Sequence, residues 1–270
     1  MAAKWLAEKN DWKLSVDTTW LMDGYTHPNS SISPFRFYAP DFEYGLAHAN
    51  VSRLYMDRFK TFAARKSSWF ATHSRIHSPK RLGYVDLRHI QSECQLRGYY
   101  QTPRYFTELL KSEVLNRDCF ELTNPSLAFD STCIELPKNG FIAIHVRGGD
   151  YRKKGSPYLG LNGDYYKTAL GMLTELDPRL PKLVFTDDVP LAKEVLSGIA
   201  NFDFVNDHLL SAAESVTLMS KASGIVTANS TFSYWAAMMS GSHSTIVSPK
   251  HWLKLEHHDE DFIPKVWKTI

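Results

Sequence analysis

The second half of the chain alternates between short apolar runs and stretches with helical spacing. Residues 140–146 form an apolar run rich in Ile and Val and predict a buried strand. Residues 163–176 open on Gly-Asp and carry apolar side chains at helical spacing, with Asp164 placed to cap the helix. KLVFTDD (182–188) reads as a strand and VPLAKEVLSGI (189–199) as a helix with proline in its first turn. FDFVN (202–206) is a short strand. SAAESVTLMSKA (211–222) predicts an amphipathic helix opened by Ser211, with Glu214 three residues on as in a capping box. GIVTAN (224–229) then reads as strand, STFSYWAAMMSG (230–241) as a helix ending at Gly241, and STIVSP (244–249) as a last strand. Strand and helix alternate four times, the pattern of a parallel sheet covered by helices on both faces.

The first half is less periodic. AAKWLAEKN predicts a helix and WKLSVDTTWL a strand, but residues 23–45 mix Pro, Ser, Asn and aromatics without a period. Residues 54–70 have helical character, and 97–111 run from an aromatic turn into a helix with Pro103 near its first turn. The Pro-Lys-Asn-Gly stretch at 137–140 marks the expected boundary between an N-terminal lobe (1–139) and a C-terminal lobe (140–270).

Composition narrows the class without naming a function. The 270 residues are 43% hydrophobic and 22% charged, ordinary for a soluble globular protein long enough to bury real cores. A formal net charge of +2 gives no electrostatic footprint for nucleic acid. No apolar run approaches the ~20 residues of a membrane span, and the N-terminus is no secretory signal. Association with a membrane surface stays open, as does the oligomeric state. Cys94, Cys119 and Cys133 are widely spaced, which disfavours a disulfide framework and fits a reducing cytoplasm.

In an open parallel sheet, ligands bind outside the carboxyl ends of the strands. Three polar clusters are expected there: His145, Arg147, Gly148, Gly149 and Asp150 after the first strand; Thr186, Asp187 and Asp188 after the second; Asn229, Ser230 and Thr231 at the start of a helix. Arg147 offers a fixed planar charge suited to phosphate oxygens. The glycines allow close backbone approach. Ser230 and Thr231 open a helix, where anions are favoured. Asp187 or Asp188 could accept hydrogen bonds from a base or ribose. Together they describe a site for a nucleotide diphosphate. Plainer readings stand beside each: Arg147 and Asp150 as ion-pair partners, Asp188 and Ser230 as helix caps, His145 as a core histidine. Three common motifs are absent: the phosphate-binding G-x-x-x-x-G-K-[ST], the dinucleotide G-x-G-x-x-G and the nucleophile elbow G-x-S-x-G. The acidic and histidine-rich run 256–261 reads as a solvated surface rather than a metal site.

His145-Val146-Arg147-Gly148-Gly149-Asp150-Tyr151 resembles the H-x-R-R-x-D-Y motif of glycosyltransferase family 11, the α-1,2-fucosyltransferases. Phe185-Thr186-Asp187-Asp188 is similar to the family's F-S-D-D. Leu218-Met219-Ser220 followed by Asn229-Ser230-Thr231-Phe232-Ser233-Tyr234-Trp235 resembles its L-M-S and N-S-T-F-S-W-W signature. Gly98-Tyr99-Tyr100-Gln101 with Tyr105-Phe106 resembles its G-Y-x-Q-x-x-x-Y-F segment. The matches occur in family order across roughly residues 97–250.

The resemblance implies a two-lobed, GT-B-like α/β fold whose C-terminal lobe is a Rossmann-like parallel sheet. It implies transfer of fucose from GDP-fucose to a galactose-type hydroxyl of a glycan, with inversion, without a metal and with no cofactor beyond the donor. Arg147 would hold the donor diphosphate; His145, Gly149, Asp187, Asn229, Ser230 and Thr231 would line the same site. Asp150 could take the acceptor's proton or pin the Arg147 loop. Two departures stand out. Gly148 replaces the motif's second arginine, removing one positive charge near the diphosphate. The family's opening strand and G-G-L-G-N-Q loop have no counterpart before Ala2, as expected of a fragment or an altered lobe. An inactive or weakly active GDP- or glycan-binding protein, or a transferase using another nucleotide sugar, remains the alternative. Trp20, Tyr25, Phe35, Phe37, Tyr38, Tyr99 and Tyr100 are candidate sugar-stacking aromatics.

Overall fold

A computed structural model describes residues 1–17, 45–47, 75–79, 83–114, 120–122, 124–173, 176–205, 209–254 and 261–270, with separate positions between 59 and 69. Trp20, Tyr25, Phe35, Phe37, Tyr38 and Cys119 lie outside the described residues. So does much of the expected 54–70 helix; of its described positions, 59, 60, 62–64, 66 and 69 are helical and 67 is not. Among the described residues no helix is long and apolar enough to cross a membrane.

The contacts divide the chain into two compact units, Met1–Glu121 with His257–Phe262, and Leu122–Glu256 with Ile263–Ile270. In the first, α1 (Ala2–Asn10) is the helix the N-terminal pattern predicts, and it ends at Asp11 in a left-handed conformation. The unit also holds two short parallel pairs, β1 (Ser15–Asp17) with β2 (Gly45–Ala47), and β3 (Ile76–His77) with β4 (Gln95–Leu96). Next comes α2 (Pro103–Lys111), where Thr102 accepts the Arg104 N–H as N-cap and Pro103 fills the first helical position. Its apolar side, Tyr105, Phe106 and Leu109, is buried. The Trp5 and Tyr105 rings meet at 5.6 Å, and the Trp5 indole donates to Glu108 Oε2, joining α1 to α2.

The second unit is built on a six-stranded sheet, parallel at every pairing, in the order β10-β9-β8-β5-β6-β7. Its strands are β5 (Ile142–Val146), β6 (Lys182–Thr186), β7 (Phe202–Phe204), β8 (Gly224–Val226), β9 (Thr245–Ser248) and β10 (Lys268–Thr269). Every residue of β5 is buried, as a strand covered on both faces requires. On one face Ala143, Phe185, Ile225 and Ile246 pack with α3 (Leu127–Glu135), α6 (Ala212–Met219) and α7 (Thr231–Ser240). On the other Ile144, Val146, Val184, Val226 and Val247 pack with α4 (Gly163–Gly171) and α5 (Val189–Val195).

Three expectations change in detail. The N-cap of α4 is Asn162, whose side chain accepts the Tyr165 N–H, and Asp164 lies within the first turn instead. The contact division falls at 121/122, ahead of the expected 139/140 break, because Phe129 of α3 packs in the same cluster as Phe141, Ala143 and Phe185. The sheet also has a last strand, β10, that its two-residue pattern did not reveal.

Glu214 fastens α6. It forms the expected capping box with Ser211, and it also accepts the backbone N–H of Ser126, the N-cap of α3, at 2.6 Å. Burial opposes its ionisation, but the hydrogen bonds from Ser211 and Ser126 outweigh this and hold its pKa below 4.5. Glu214→Ala leaves the Ser211 and Ser126 amides without this partner and should cost about 3 kcal/mol in denaturant unfolding. Because the folded-state pKa is depressed, the stabilisation from Glu214 is present above the unfolded value and is lost as pH falls through the folded one. Acid unfolding of Glu214→Gln should therefore show a shallower loss of stability below pH ~4.5 than the wild type, measured as the urea midpoint against pH.

Candidate functional site

The sheet order reverses between β5 and β8. From β5 the chain moves outward through β6 and β7, then returns to place β8 on the other side of β5 and continues to β9 and β10. The β5–β8 ladder extends to Ile144↔Val226, while β5–β6 pairing continues to Val146↔Thr186. Beyond Ile144 the two strands part, and the crevice of a doubly wound sheet opens there. Two adjacent tyrosines of α4 tie its rims. Tyr166 donates its hydroxyl to the His145 carbonyl at 3.2 Å, and Tyr165 donates to the Thr227 carbonyl at 2.6 Å. Burial pushes both phenols up, so they remain protonated donors at any working pH.

The chain leaves β5 at Arg147 and makes a tight 3-10 turn, Gly149–Arg152. Arg147 Nη1 lies 2.7 Å from Asp187 Oδ2, and the other oxygen of that carboxylate accepts the Gly148 N–H at 2.8 Å. One aspartate at the end of β6 thus fixes both the guanidinium and the backbone beside it. The guanidinium also lies over the Tyr151 ring, 5.4 Å from its centre. Tyr151 stacks flat on Tyr158 at 3.9 Å and donates its hydroxyl to the Asn229 carbonyl at 2.9 Å, linking the turn to the end of β8.

The glycines have separate reasons. A β-carbon at Gly148 would lie 2.3 Å from the Asp188 β-carbon, so the end of β5 approaches the end of β6 closer than any side chain permits. Gly149 has φ +44°, a left-handed conformation that opens the turn. Asp188 itself caps α5, accepting the Leu191 N–H at 3.0 Å, and its second oxygen meets Arg152 Nη1 at 3.3 Å.

Across the crevice, Ser230 is the N-cap of α7 and accepts the Phe232 N–H, while Thr231 is exposed at the first helical position. Asn229 is buried, and its amide donates to the carbonyls of Leu159 and Trp252 at 2.8 and 3.0 Å. It is a tie between loops. His145 is also buried, with Nδ1 2.9 Å from Ser233 Oγ and its ring against Phe232, which locks β5 to α7. Burial and the Arg147 charge push His145 down to about 3, so the ring is neutral at physiological pH. This is the core-histidine reading of the sequence.

The structure thus brings Arg147, Gly148, Gly149 and Asp187 into one cluster and places Ser230 and Thr231 on the facing helix. Asp150 lies in the turn; its side chain is outside the described residues. Tyr151, Arg152, Tyr158, Tyr165, Tyr166 and Ser233 were not singled out from the sequence as site residues. The paired tyrosines following Asn162-Gly163-Asp164 carry a helical signal only, and their role depends on which carbonyls the fold brings near. Among the described residues no group of three or more His, Cys, Asp or Glu is placed to hold a metal. The 256–261 run lies outside them except Asp261, whose carboxylate pairs with Arg104.

The chain is 30% identical over 143 residues to WbnK, an O-antigen biosynthesis glycosyltransferase of Escherichia coli, covering 51% of this chain and 47% of the relative. It is 28% identical over 191 residues to an alpha-1,2-colitosyltransferase of Escherichia coli, covering 67% of this chain and 64% of that protein. The chain therefore spans about half to two thirds of the length of these relatives. Among solved structures, the fucosyltransferase NodZ from Bradyrhizobium superposes with a TM-score of 0.50 at 13% identity, over 88% of this chain and 87% of that one. NodZ alpha-1,6-fucosyltransferase soaked with GDP-fucose gives the same score and identity over 96% and 93%. That likeness shows the fold, the GT-B-like α/β class with a Rossmann-like parallel sheet. The model of glycosyl transferase family 11 matches residues 83–270, the whole of the described sheet and the turn at its centre, and the chain belongs to that family.

Proposed function

We propose that the chain transfers a fucosyl group from GDP-fucose to a galactose-type hydroxyl of a glycan, with inversion and without a metal ion. The observation that carries this reading is Arg147 at the end of β5, where the sheet order reverses, backed by Asp187 and facing the N-terminus of α7. The fixed guanidinium is suited to the oxygens of a nucleoside diphosphate. As the sugar–phosphate bond breaks, negative charge grows on the leaving diphosphate. Arg147 and the helix N-terminus, already oriented, stabilise that charge without reorganising, the part a divalent ion plays elsewhere. Asp187 acts here by positioning: its two oxygens hold the guanidinium and the Gly148 amide. His145, neutral and bonded to Ser233, holds β5 against α7. The base that accepts the acceptor's proton is assigned to Asp150, in the same turn.

A second reading keeps the site and changes the sugar. The relative named for colitosyl transfer favours it, since the residues around Arg147 recognise phosphate rather than the sugar.

Binding and turnover separate these readings. Calorimetric titration should rank GDP above UDP and ADP; preference for UDP would overturn the guanosine assignment. With a lactose-type acceptor, GDP-fucose should turn over. A chain that binds GDP but transfers only from a colitosyl donor supports the second reading, and GDP binding with no transfer supports a binding protein. Arg147→Ala should lower kcat/KM about a hundredfold while thermal unfolding stays close to wild type; unchanged kinetics would remove Arg147 from the mechanism. The His145 ring resonances should show no protonation step between pH 5 and 8, because its pKa lies near about 3.

A further inference from the structure

A nucleoside diphosphate carries two to three negative charges, and the residue after Arg147 has no side chain to meet the second phosphate. The space that a side chain at 148 would need is filled: its β-carbon would lie 2.3 Å from Asp188 Cβ and 2.6 Å from Asp188 Oδ2. The strand end therefore cannot supply a second cation here.

The 3-10 turn supplies one instead. Arg152 ends that turn and reaches back over the same spot, with Nη1 3.3 Å from Asp188 Oδ2. The two guanidinium groups, Arg147 and Arg152, are thus parked on the carboxylates of adjacent residues, Asp187 and Asp188. The two pairs differ. Arg147 is held at 2.7 Å, with a carboxylate that also anchors the Gly148 amide. Arg152 is held at a longer distance, and its side chain is 57% exposed. An exposed pair of this kind contributes little and yields readily to a stronger anion. Asp188 does not depend on it, because its other oxygen caps α5 and its own amide donates to Thr186 Oγ1. The turn is meanwhile pinned on its far side by the Tyr151 hydroxyl on Asn229, so Arg152 can leave Asp188 without the turn coming loose.

Building on the proposed nucleotide site, we propose that Arg152 is a second diphosphate-binding residue, released from Asp188 when the donor binds, and that it takes the place of the charge missing at Gly148. Arg147 meets one phosphate from the strand end, and Arg152 meets the other from the turn. The ligand class is a nucleoside diphosphate or its sugar ester, and a monophosphate would use only part of the site.

The test is calorimetric titration of the whole chain with GDP, GMP and guanosine. Arg152→Ala should weaken GDP about tenfold, as the loss of one charge-assisted contact does, and leave guanosine unchanged. Arg152→Lys should recover part of the loss. Asp188→Asn keeps the helix cap and frees Arg152, so GDP should bind as tightly as to wild type or tighter. Wild-type affinity for GDP in Arg152→Ala would overturn the assignment. So would an Asp188→Asn variant that loses GDP affinity as Arg152→Ala does, since the pair would then be a structural latch. Wild-type chain that binds none of the three ligands overturns the nucleotide reading itself, a result distinct from either of these.

Discussion

Everything at the site depends on where β5 and β8 stop pairing. Both strands are buried on both faces, so their backbone groups must find partners within the protein. Up to Ile144 and Val226 the ladder satisfies them. Past that point the chains diverge to make the crevice, and hydroxyls from α4 reach the His145 and Thr227 carbonyls. The two donors are consecutive residues of one helix, Tyr165 and Tyr166, with rings set edge to face at 5.0 Å. A single helix thereby holds open the gap that the ladder leaves. His145 does the complementary work on the other face, bonding Ser233 of α7. Ser233 Oγ in turn accepts the Ala228 amide, so the loop that delivers Asn229, Ser230 and Thr231 is tied to the same strand that delivers Arg147.

From this constraint the division of labour among the polar residues follows. Those with buried side chains, His145, Asn229 and Ser230, hold backbone in place. Asp187 is in between: its carboxylate is a third exposed, yet its two oxygens meet Arg147 and the Gly148 amide. The most exposed groups are the Arg152 guanidinium and Thr231 in the first turn of α7, with the Arg147 guanidinium exposed to the same degree as Asp187. The nucleotide reading proposed above rests on these guanidinium groups and on the helix N-terminus, where an anion is favoured. The sequence motif joins both classes of residue in one string, so matching it does not say which of them meets the ligand.

The sheet was largely legible from periodicity. β5, β6, β7, β8 and β9 all fall within their expected runs: β5 and β8, buried on both faces, are continuously apolar, and the edge strand β7 keeps the Phe-Asp-Phe alternation of a half-covered strand. The helices with strong signals were legible too: α6 by its capping box, α7 by Ser230 and Gly241, α2 by Pro103, while the Thr102 cap of α2 emerged only in the fold. What escaped has a physical reason. α3 buries little beyond Phe129 and leaves Leu127 and Ile134 exposed, so it has no apolar stripe to detect. β10 has two residues, and its pairing with β9 is a tertiary event. The α4 cap shifted because Asn162 and Asp164 are both good caps, and only the backbone decides which one stands outside the first turn. At the site, the charges were legible and the partners were not. Arg147 and Asp187 stand 40 residues apart in sequence, and only the β5–β6 register makes them neighbours.

Gly148 shows why a motif letter is best read with its surroundings. A glycine beside Arg147 looks like a loss of charge when the string is read alone. In the fold it is what permits the ends of β5 and β6 to approach so closely that its amide reaches Asp187 and its α-carbon abuts Asp188. The approach brings two carboxylates against the strand end and the turn after it, which carry one arginine each. A larger residue at 148 would push β5's end away from Asp188 and break the Asp187 contact that orients Arg147. Charge at this crevice is therefore set by the geometry of the whole strand-turn unit, with the glycine and the two arginine–aspartate pairs acting as one arrangement rather than as separate positions.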